Sequence, residues 1–221
     1  MPQPAPVYVA RHGQTRSNEI GRYAGRDDEP LTRVGREQIE ALSLRLRDCG
    51  VAEIWTSPIS RAQETAQILA EDLKVPVMVD SRLEEMRMGP WEGLTELEVA
   101  SRYSEAHALW LEKPDLVSLP ERESLAMVAQ RIVATVSDAA RRPGSVLLVT
   151  HVAPIRVAAL TLLGLPLRRY KTVRVSNADC FIADLDRGDV RRLGRNESLL
   201  VEMSAESPSF PASSRTSDIA R

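Results

Sequence analysis

Apolar, β-rich runs alternate along this chain with segments of helical periodicity, and that alternation limits the fold more than any other feature. Strands are predicted at Val7–Ala10, Val51–Thr56, Val75–Val79, Ser145–Thr150, Thr172–Asp184 and Val190–Leu193. An alternating order of this kind is typical of helices packed on both faces of a mostly parallel sheet. The sequence therefore predicts an α/β fold of three layers, α/β/α, around a mostly parallel central sheet.

Helix and turn signals fall between the strands. The helical patterns are the repeat of Ile39, Leu42, Leu46 and Cys49, then Ile59–Leu73, Leu125–Val136 and Val152–Leu163. Gly50 is placed to end the first of these helices. Ser57 and Pro58 predict an N-cap followed by proline at the first helical position. Arg187-Gly188-Asp189 predicts the turn of a hairpin at the end of the sheet.

Composition excludes several classes of protein. The chain has 221 residues, 43% of them hydrophobic, which is enough for a sizeable core, and a net charge of −2 gives no reason to expect nucleic-acid or membrane binding. No apolar run approaches a membrane span and the N-terminus has no signal core, so we expect a cytoplasmic protein. Cys49 and Cys180 are expected to be free thiols. A single domain is expected over 1–203, followed by a disordered Ser-, Ala- and Pro-rich tail at 204–221.

Basic side chains follow three of the predicted strands. Arg11 and His12 end the first, Arg61 lies in the first turn of the helix after the second, and His151 follows the fourth. Because the carboxyl ends of parallel strands meet at one edge of a sheet, these four groups should share a pocket. So many cations and imidazoles together favour an anionic ligand, and a phosphoryl group fits them well.

Phosphoryl transfer also needs a nucleophile and a proton donor. A neutral histidine can attack phosphorus and hold the phosphoryl group covalently. A carboxylic acid can then protonate the leaving oxygen and later deprotonate water. Candidates for the carboxyl group lie after the third strand in the segment Leu83 to Gly93, which contains Glu84, Glu85 and Glu92.

Several sequence blocks, in this order, extend the pattern over most of the chain. They are Arg11-His12-Gly13-Gln14-Thr15 with Asn18, Pro30-Leu31-Thr32 with Gly35 and Gln38, Ser57-Pro58 with Arg61-Ala62 and Thr65-Ala66, Leu83 to Gly89 with Trp91-Glu92-Gly93, and Thr150-His151 with Ile155-Arg156. With these blocks the chain resembles the histidine phosphatase superfamily, branch 1, also called the phosphoglycerate mutase-like phosphatases. The resemblance runs from about Val7 to Leu199.

The resemblance implies a role for each matching residue. His12 would be the phosphorylated nucleophile, held with its substrate by Arg11, Arg61 and His151. Glu85 matches the acid position, with the neighbouring Glu84 as the second choice. Asn18, Gln14 and Thr15 would line the mouth of the pocket, and the backbone N–H of Val152, where the family often has glycine, could also bind phosphate. The family requires no metal, and we expect no cofactor.

The implied function is that of a metal-independent phosphomonoesterase, which hydrolyses a small phosphorylated metabolite such as a sugar phosphate through a phosphohistidine. A helical insertion over residues 86–142 should cover part of the active site and determine the substrate. Two alternatives are a cofactor-dependent phosphoglycerate mutase, whose usual Arg-Arg-Ser-Tyr-like segment is missing here, and a non-catalytic phosphate-binding protein. The expected partner is a small phosphate ester, with neither nucleic acid nor membrane; a homodimer is left open.

Other polar residues receive a structural interpretation. His107 is expected to be structural, and Asp27-Asp28-Glu29 to form a solvated loop. Arg22, Arg26 and Arg87 could bind a second negative group of the substrate, but solvation at the surface is the expectation for each. Departures from the family, Arg26 after Gly25 and Arg122 before Glu123-Ser124, fall toward the substrate and prevent transfer of a substrate identity from the family.

Overall fold

The structure is a computed structural model, and it describes residues 5–205. Within that range the strands are β1 (Val7–Arg11), β2 (Val51–Thr56), β3 (Val77–Val79), β4 (Ser145–Thr150), β5 (Cys180–Asp184) and β6 (Asp189–Arg192). The helices are α1 (Arg16–Glu19), α2 (Arg33–Leu46), α3 (Ser60–Leu73), α4 (Glu96–Arg102), α5 (Ser104–Glu112), α6 (Leu125–Ala140), α7 (Val152–Leu162) and α8 (Leu199–Ala205). Short 3₁₀ helices cover Arg47–Cys49, Ser81–Leu83, Gly89–Trp91, Pro114–Leu116 and Leu167–Thr172.

The strands form one sheet in the order β3-β2-β4-β1-β5-β6. The first four are parallel, whereas β5 pairs antiparallel with both β1 and β6. The mostly parallel sheet predicted from the sequence is confirmed, and so is the hairpin turn between β5 and β6. Parallel pairing places the carboxyl ends of β1, β2 and β4 at one edge of the sheet.

Successive side chains of the strands enter different cores. Val7 and Val9 of β1 join a hydrophobic cluster with α6 and α7, while Tyr8 and Ala10 join a second cluster with α2 and α3. This is the period of two expected for a strand that is covered on both faces. The entire length of β4 is buried, which explains its continuous apolar run. The three predicted layers are therefore present.

Three predicted boundaries were wrong. The strand predicted at Thr172–Asp184 begins only at Cys180, because the preceding chain forms the 3₁₀ helix Leu167–Thr172 and a turn. The strand predicted from Val75 begins at Val77. Ser57 is not the N-cap of α3: Ile59 occupies that position, and the Ser57 hydroxyl contacts a histidine instead. Gly50 ends its helix as predicted, with a left-handed φ of 65°.

The insertion that covers the site is shorter than the predicted 86–142. Helix α6 packs on the sheet and on α7, since Leu125, Val128 and Ile132 are buried in the same cluster as β1. It is therefore part of a helical layer, and the cover consists of residues 86–124 with α4 and α5.

Near the C-terminus, α8 extends two residues into the predicted tail, and the rest of that tail lies outside the described residues.

Two glycines bring the turn after β1 against α2. A Cβ atom on Gly13 would lie 2.5 Å from the carbonyl oxygen of Gly35, and one on Gly35 would lie 2.2 Å from that of Gln14. The backbone of Gly13 does not have a positive φ, so close approach to the backbone of Gly35 is the reason for glycine here. The contact fixes the segment that carries His12.

None of the helices formed by residues 5–205 is long and apolar enough to cross a membrane.

Candidate active site

A cavity of about 330 Å³ opens at the carboxyl edge of the sheet. From the predicted site it is lined by Arg11, His12, Asn18, Arg61, Glu85 and Val152. These residues come from the end of β1, the turn into α1, the start of α3, the segment after β3 and the start of α7. His151 lies directly behind them, with its ring centroid 5.1 Å from that of His12. The convergence of three strand ends predicted from the sequence is thus found.

His12 is held as a neutral imidazole whose one ring lone pair is on Nε2. Its side chain is almost completely buried, and Nδ1 lies 2.7 Å from the carbonyl oxygen of Gly13, to which it can only donate. Arg61 Nε donates to His12 Nε2 at 3.2 Å, so Nε2 carries no proton. Burial lowers the pKa of His12 well below its usual value, and the charges of Arg61 and Arg11 lower it further. The nitrogen that faces Arg61 is therefore unprotonated and carries the lone pair of the ring.

The two arginines are held by backbone carbonyls and not by carboxylates. Arg61 is 2% exposed and donates to Gly25 O at 2.7 Å and Asp27 O at 2.8 Å. Arg11 donates to Val175 O at 3.0 Å, and its buried Nε has no hydrogen-bond partner. Burial lowers the pKa of Arg11 to about 10, so it remains a cation at neutral pH. Both charges are therefore available to an oxyanion in the cavity.

His151 contacts a residue whose role the sequence did not reveal. Its Nε2 lies 2.9 Å from Ser57 Oγ, and its Nδ1 is buried without a partner. Burial lowers the pKa of His151 well below its usual value, with Arg61 and His12 as further causes. The sequence singled out Ser57 as a helix N-cap and as part of a family block, but neither signal gave it a role at the site. The structure shows instead that the hydroxyl orients an imidazole at the site.

The carboxyl groups of Glu84 and Glu85 lie in different surroundings. Glu85 lines the cavity, and its carboxylate accepts hydrogen bonds from the backbone N–H groups of Met86 (2.8 Å), Val152 (3.2 Å) and Ala153 (3.2 Å). Glu84 forms an ion pair with Arg26 at 2.5 Å. The geometry thus favours Glu85 as the proton donor. The N–H of Val152, expected to bind phosphate, is engaged by this carboxylate.

The remaining predicted contacts divide into two groups. Asn18 lines the cavity, and its Oδ1 accepts from Asn177 at 2.8 Å. Gln14 and Thr15 do not line it: Gln14 Oε1 accepts from Thr32 at 2.9 Å, and the buried Thr15 caps α1. Their contact with substrate stays a prediction, and the structure gives both side chains other partners.

Besides Arg22, the cavity is lined by further residues that had no predicted ligand role. They include Tyr23, Glu96, Arg156, Tyr170 and Lys171. No motif covers the 3₁₀ helix that carries the last two, so the sequence offered no signal for them. Arg26 is ion-paired and not solvated as expected, and Arg87 lies outside this cavity.

The acidic loop and the third histidine have structural partners. Asp28 accepts from the backbone N–H of Ser60, and Glu29 from that of Ser17, so the loop is tied to α3 and α1. His107 contacts Glu96 at 3.3 Å. Within residues 5–205, no three His, Cys, Asp or Glu side chains are grouped in a way that could hold a metal ion.

The arrangement has a counterpart among known proteins. Residues 7–198 match the histidine phosphatase superfamily (branch 1). This chain belongs to that family. The family and enzyme class predicted from the sequence, histidine phosphatase, are thereby confirmed, because the matched region includes every residue of the site described above.

Several relatives of this histidine phosphatase have names that specify a reaction. Phosphoserine phosphatase 1 of Hydrogenobacter thermophilus is 29% identical over 182 residues, covering 81% of this chain and 86% of that protein. A Yersinia pestis protein named "Probable phosphoglycerate mutase GpmB" is 30% identical over 182 residues, covering 81% and 84%. Among solved structures, YhfR of Bacillus stearothermophilus has a TM-score of 0.77 at 30% identity, covering 85% of this chain and 94% of that one. A mycobacterial glucosyl-3-phosphoglycerate phosphatase has a TM-score of 0.74 at 28% identity, covering 86% and 97%.

The two buried histidines of this histidine phosphatase predict a loss of stability in acid. In the unfolded chain both take up a proton as the pH falls through about 6.5, whereas in the folded protein burial and Arg61 keep them neutral to much lower pH. The unfolded state then binds more protons, so the free energy of unfolding should fall by about 1.4 kcal/mol per pH unit for each histidine. Urea unfolding between pH 7.5 and 5.0 measures this slope.

The variant His12→Gln separates the histidine contribution from that of the carboxylates. Its slope below about pH 6.5 should be smaller than that of the unaltered protein by the contribution of one histidine, about 1.4 kcal/mol per pH unit. Equal slopes for the two proteins would show that folded His12 takes up its proton over the same pH range as the unfolded chain, and that burial and Arg61 do not lower its pKa.

Proposed function

We propose that this protein is a metal-independent phosphomonoesterase that hydrolyses a small phosphorylated metabolite through a phosphohistidine. The observation that carries the proposal is the unprotonated Nε2 of His12, which lies at the cavity wall beside the buried guanidinium group of Arg61, with Arg11 lining the same cavity. A neutral imidazole can attack phosphorus, and the arginines can bind the oxygens that carry negative charge in the transition state. The cavity, at about 330 Å³, suits a metabolite-sized ligand.

In the first step the phosphoryl group moves from the substrate to the histidine. A substrate oxygen draws the guanidinium of Arg61 away from His12 Nε2 and frees the lone pair, which attacks phosphorus in line with the ester oxygen. The N–P bond forms as the P–O ester bond breaks. The carboxyl group of Glu85 gives its proton to the leaving oxygen, and the alcohol departs. Arg11, Arg61 and His151 hold the phosphoryl oxygens, and the hydrogen bond between Gly13 O and Nδ1 stabilises the positive charge that develops on the ring.

In the second step water takes the place of the alcohol. The carboxylate of Glu85 accepts a proton from water, whose oxygen attacks the phosphohistidine. The N–P bond breaks, inorganic phosphate forms, and His12 returns to the neutral state with Glu85 protonated again. Three backbone donors fix the position of this carboxylate, as general acid–base catalysis requires.

The relatives with named reactions support a small substrate. Phosphoserine and glucosyl-3-phosphoglycerate are the substrates that the names of two of them specify. The alternative reaction, transfer of the phosphoryl group back to the substrate as in the mutase named for the Yersinia relative, would use the same nucleophile. The two reactions differ in whether water reaches the phosphohistidine.

One assay tests the proposal. The protein is incubated with p-nitrophenyl phosphate and with a panel of phosphorylated metabolites, in the presence of a chelator, and the release of inorganic phosphate is measured beside the isomerisation of 3-phosphoglycerate. We expect phosphate release that the chelator does not inhibit. Isomerisation without phosphate release would replace the proposal with a mutase, and binding without either reaction would make the protein a phosphate-binding protein.

A further inference from the structure

Two further cations line the cavity, in addition to the groups that we assign to phosphoryl transfer. Arg156 is on α7, and Lys171 is on the 3₁₀ helix Leu167–Thr172. Both are half-buried. The two segments pack against each other, so that the charged groups face the same part of the cavity.

Neither cation has a carboxylate partner among residues 5–205. Arg156 Nε donates to Val173 O at 2.8 Å, and its guanidinium carbon lies 4.9 Å from the centroid of the Tyr170 ring. Lys171 Nζ lies 5.2 Å from the centroid of the Trp110 ring. No ion pair within 4.0 Å joins either of them to a described Asp or Glu. Arg26, by contrast, forms an ion pair with Glu84.

Packing on aromatic rings explains the stems of these side chains but not their charges. A cation over a ring is stabilised by about 0.5–1 kcal/mol at an exposed site, and long stems cover apolar surface in any case. Burial nevertheless lowers the pKa of Lys171, which shows that the ammonium group is less well solvated than in water. Glu96 lines the same cavity and its charge raises the pKa of Lys171 in part, but it forms no ion pair within 4.0 Å with either cation. One carboxylate for two partly desolvated cations leaves a positive charge that an external anion would balance.

The net charge of the whole cavity also indicates a second anionic group on the ligand. Five Arg or Lys side chains and two Glu side chains line it, and its two catalytic histidines are neutral. A phosphate monoester brings about two negative charges at neutral pH, which leaves positive charge in excess. Arg11 and Arg61 act on His12 and are assigned to the phosphoryl group. The excess positive charge therefore includes the charges of Arg156 and Lys171.

We propose that Arg156 and Lys171 form a second anion subsite, which selects phosphate monoesters that carry a carboxylate or a second phosphate a few atoms from the phosphate to be hydrolysed. Trp110 and Tyr170, over whose rings the two cations lie, line the same cavity. This inference rests on the proposed function, and it adds the substrate class.

Matched substrates test the subsite directly. Glycerol 3-phosphate and 3-phosphoglycerate have the same carbon skeleton and differ in a hydroxymethyl group against a carboxylate. We expect kcat/KM to be about 10- to 100-fold higher for 3-phosphoglycerate, because a charge-assisted hydrogen bond contributes at this level. Glucose 1,6-bisphosphate against glucose 6-phosphate gives the corresponding comparison for a second phosphate. A preference in one pair only identifies which anion the subsite takes.

The variant Lys171→Met assigns the preference to the subsite. It keeps the stem length and removes the charge, so the ratio of kcat/KM for 3-phosphoglycerate over glycerol 3-phosphate should fall about tenfold. Lys171→Arg should restore most of the ratio. Lys113→Met is the matched control, because this exposed lysine belongs to the insertion but does not line the cavity, and its ratio should equal that of the unaltered protein. Thermal unfolding of each variant shows whether it is folded.

The outcomes separate this inference from the function on which it rests. Hydrolysis of p-nitrophenyl phosphate, which has no second anion, reports on the phosphoryl chemistry alone. If that hydrolysis occurs while both substrate pairs give ratios near one, the subsite is wrong and the phosphatase stands. A preference that survives in Lys171→Met also overturns the subsite. If no phosphate is released from any substrate, the proposed function itself fails.

Discussion

Replacing His12 by alanine should lower the hydrolysis of p-nitrophenyl phosphate by about 10⁴-fold or more, because loss of the nucleophile removes the covalent route entirely. The side chain is buried, but among residues 5–205 its ring forms hydrogen bonds only with Gly13 and Arg61, so the fold should persist. Rates of nitrophenolate release, measured with the thermal unfolding midpoint of the same sample, test both statements.

A trapped intermediate makes the same test independent of rate. After brief reaction with ³²P-labelled substrate and a quench in base, in which phosphohistidine survives, label should remain on the unaltered protein and be absent from His12→Ala. His107→Ala is the control: this histidine does not line the cavity, and its variant should retain the label. Activity of His12→Ala within about tenfold of the unaltered protein would exclude the phosphohistidine route.

Replacing Glu85 by glutamine should slow the enzyme according to the leaving group. An alkoxide needs a proton as the P–O bond breaks, so kcat/KM for an alkyl phosphate should fall by about 10²- to 10⁴-fold. Nitrophenolate leaves without one, so kcat/KM for p-nitrophenyl phosphate should fall by about tenfold at most. Because the same carboxylate activates water, the variant should also show a burst of nitrophenolate before a slow steady state.

Glu84→Gln is the matched control for this experiment. It removes the same charge one residue away, but from a carboxylate whose partner is Arg26 and which does not line the cavity. We expect no dependence on the leaving group in that variant. If the dependence and the burst occur in Glu84→Gln instead, the proton donor is the neighbouring residue and the hydrogen bonds to Glu85 serve only to position the chain.

The sequence was sufficient to locate the site residues that the chemistry requires and that also follow a recognisable strand. The run before Arg11 must be a buried strand, and parallel pairing then brings Arg11, Arg61 and His151 to one edge, as the structure confirms. The choice between Glu84 and Glu85 could not be made from spacing alone. It depends on which carboxylate meets the first N–H groups of α7, and that contact joins residues 67 and 68 positions apart in the chain.

The errors arose where tertiary contacts overrode a local signal. Ser57 carries the expected pattern of a helix N-cap, but its hydroxyl lies against His151 and the helix begins after Ile59. Helix α6 was assigned to the insertion because it follows it in the chain, although its apolar face packs on the sheet. Lys171 was overlooked because a lone lysine in an irregular segment has no pattern to reveal that it faces a cavity.

The cavity is assembled from chain segments that can change independently. His12, Arg11 and Arg61 depend on the sheet and on the contact of Gly13 with Gly35, whereas Trp110 belongs to the cover and Lys171 to a surface 3₁₀ helix. Mutations in the cover and the 3₁₀ helix can therefore accumulate during evolution without selection against lost turnover. A gene duplicate of this protein could acquire a different metabolite in a few steps, and laboratory libraries limited to those segments are the economical way to redirect it.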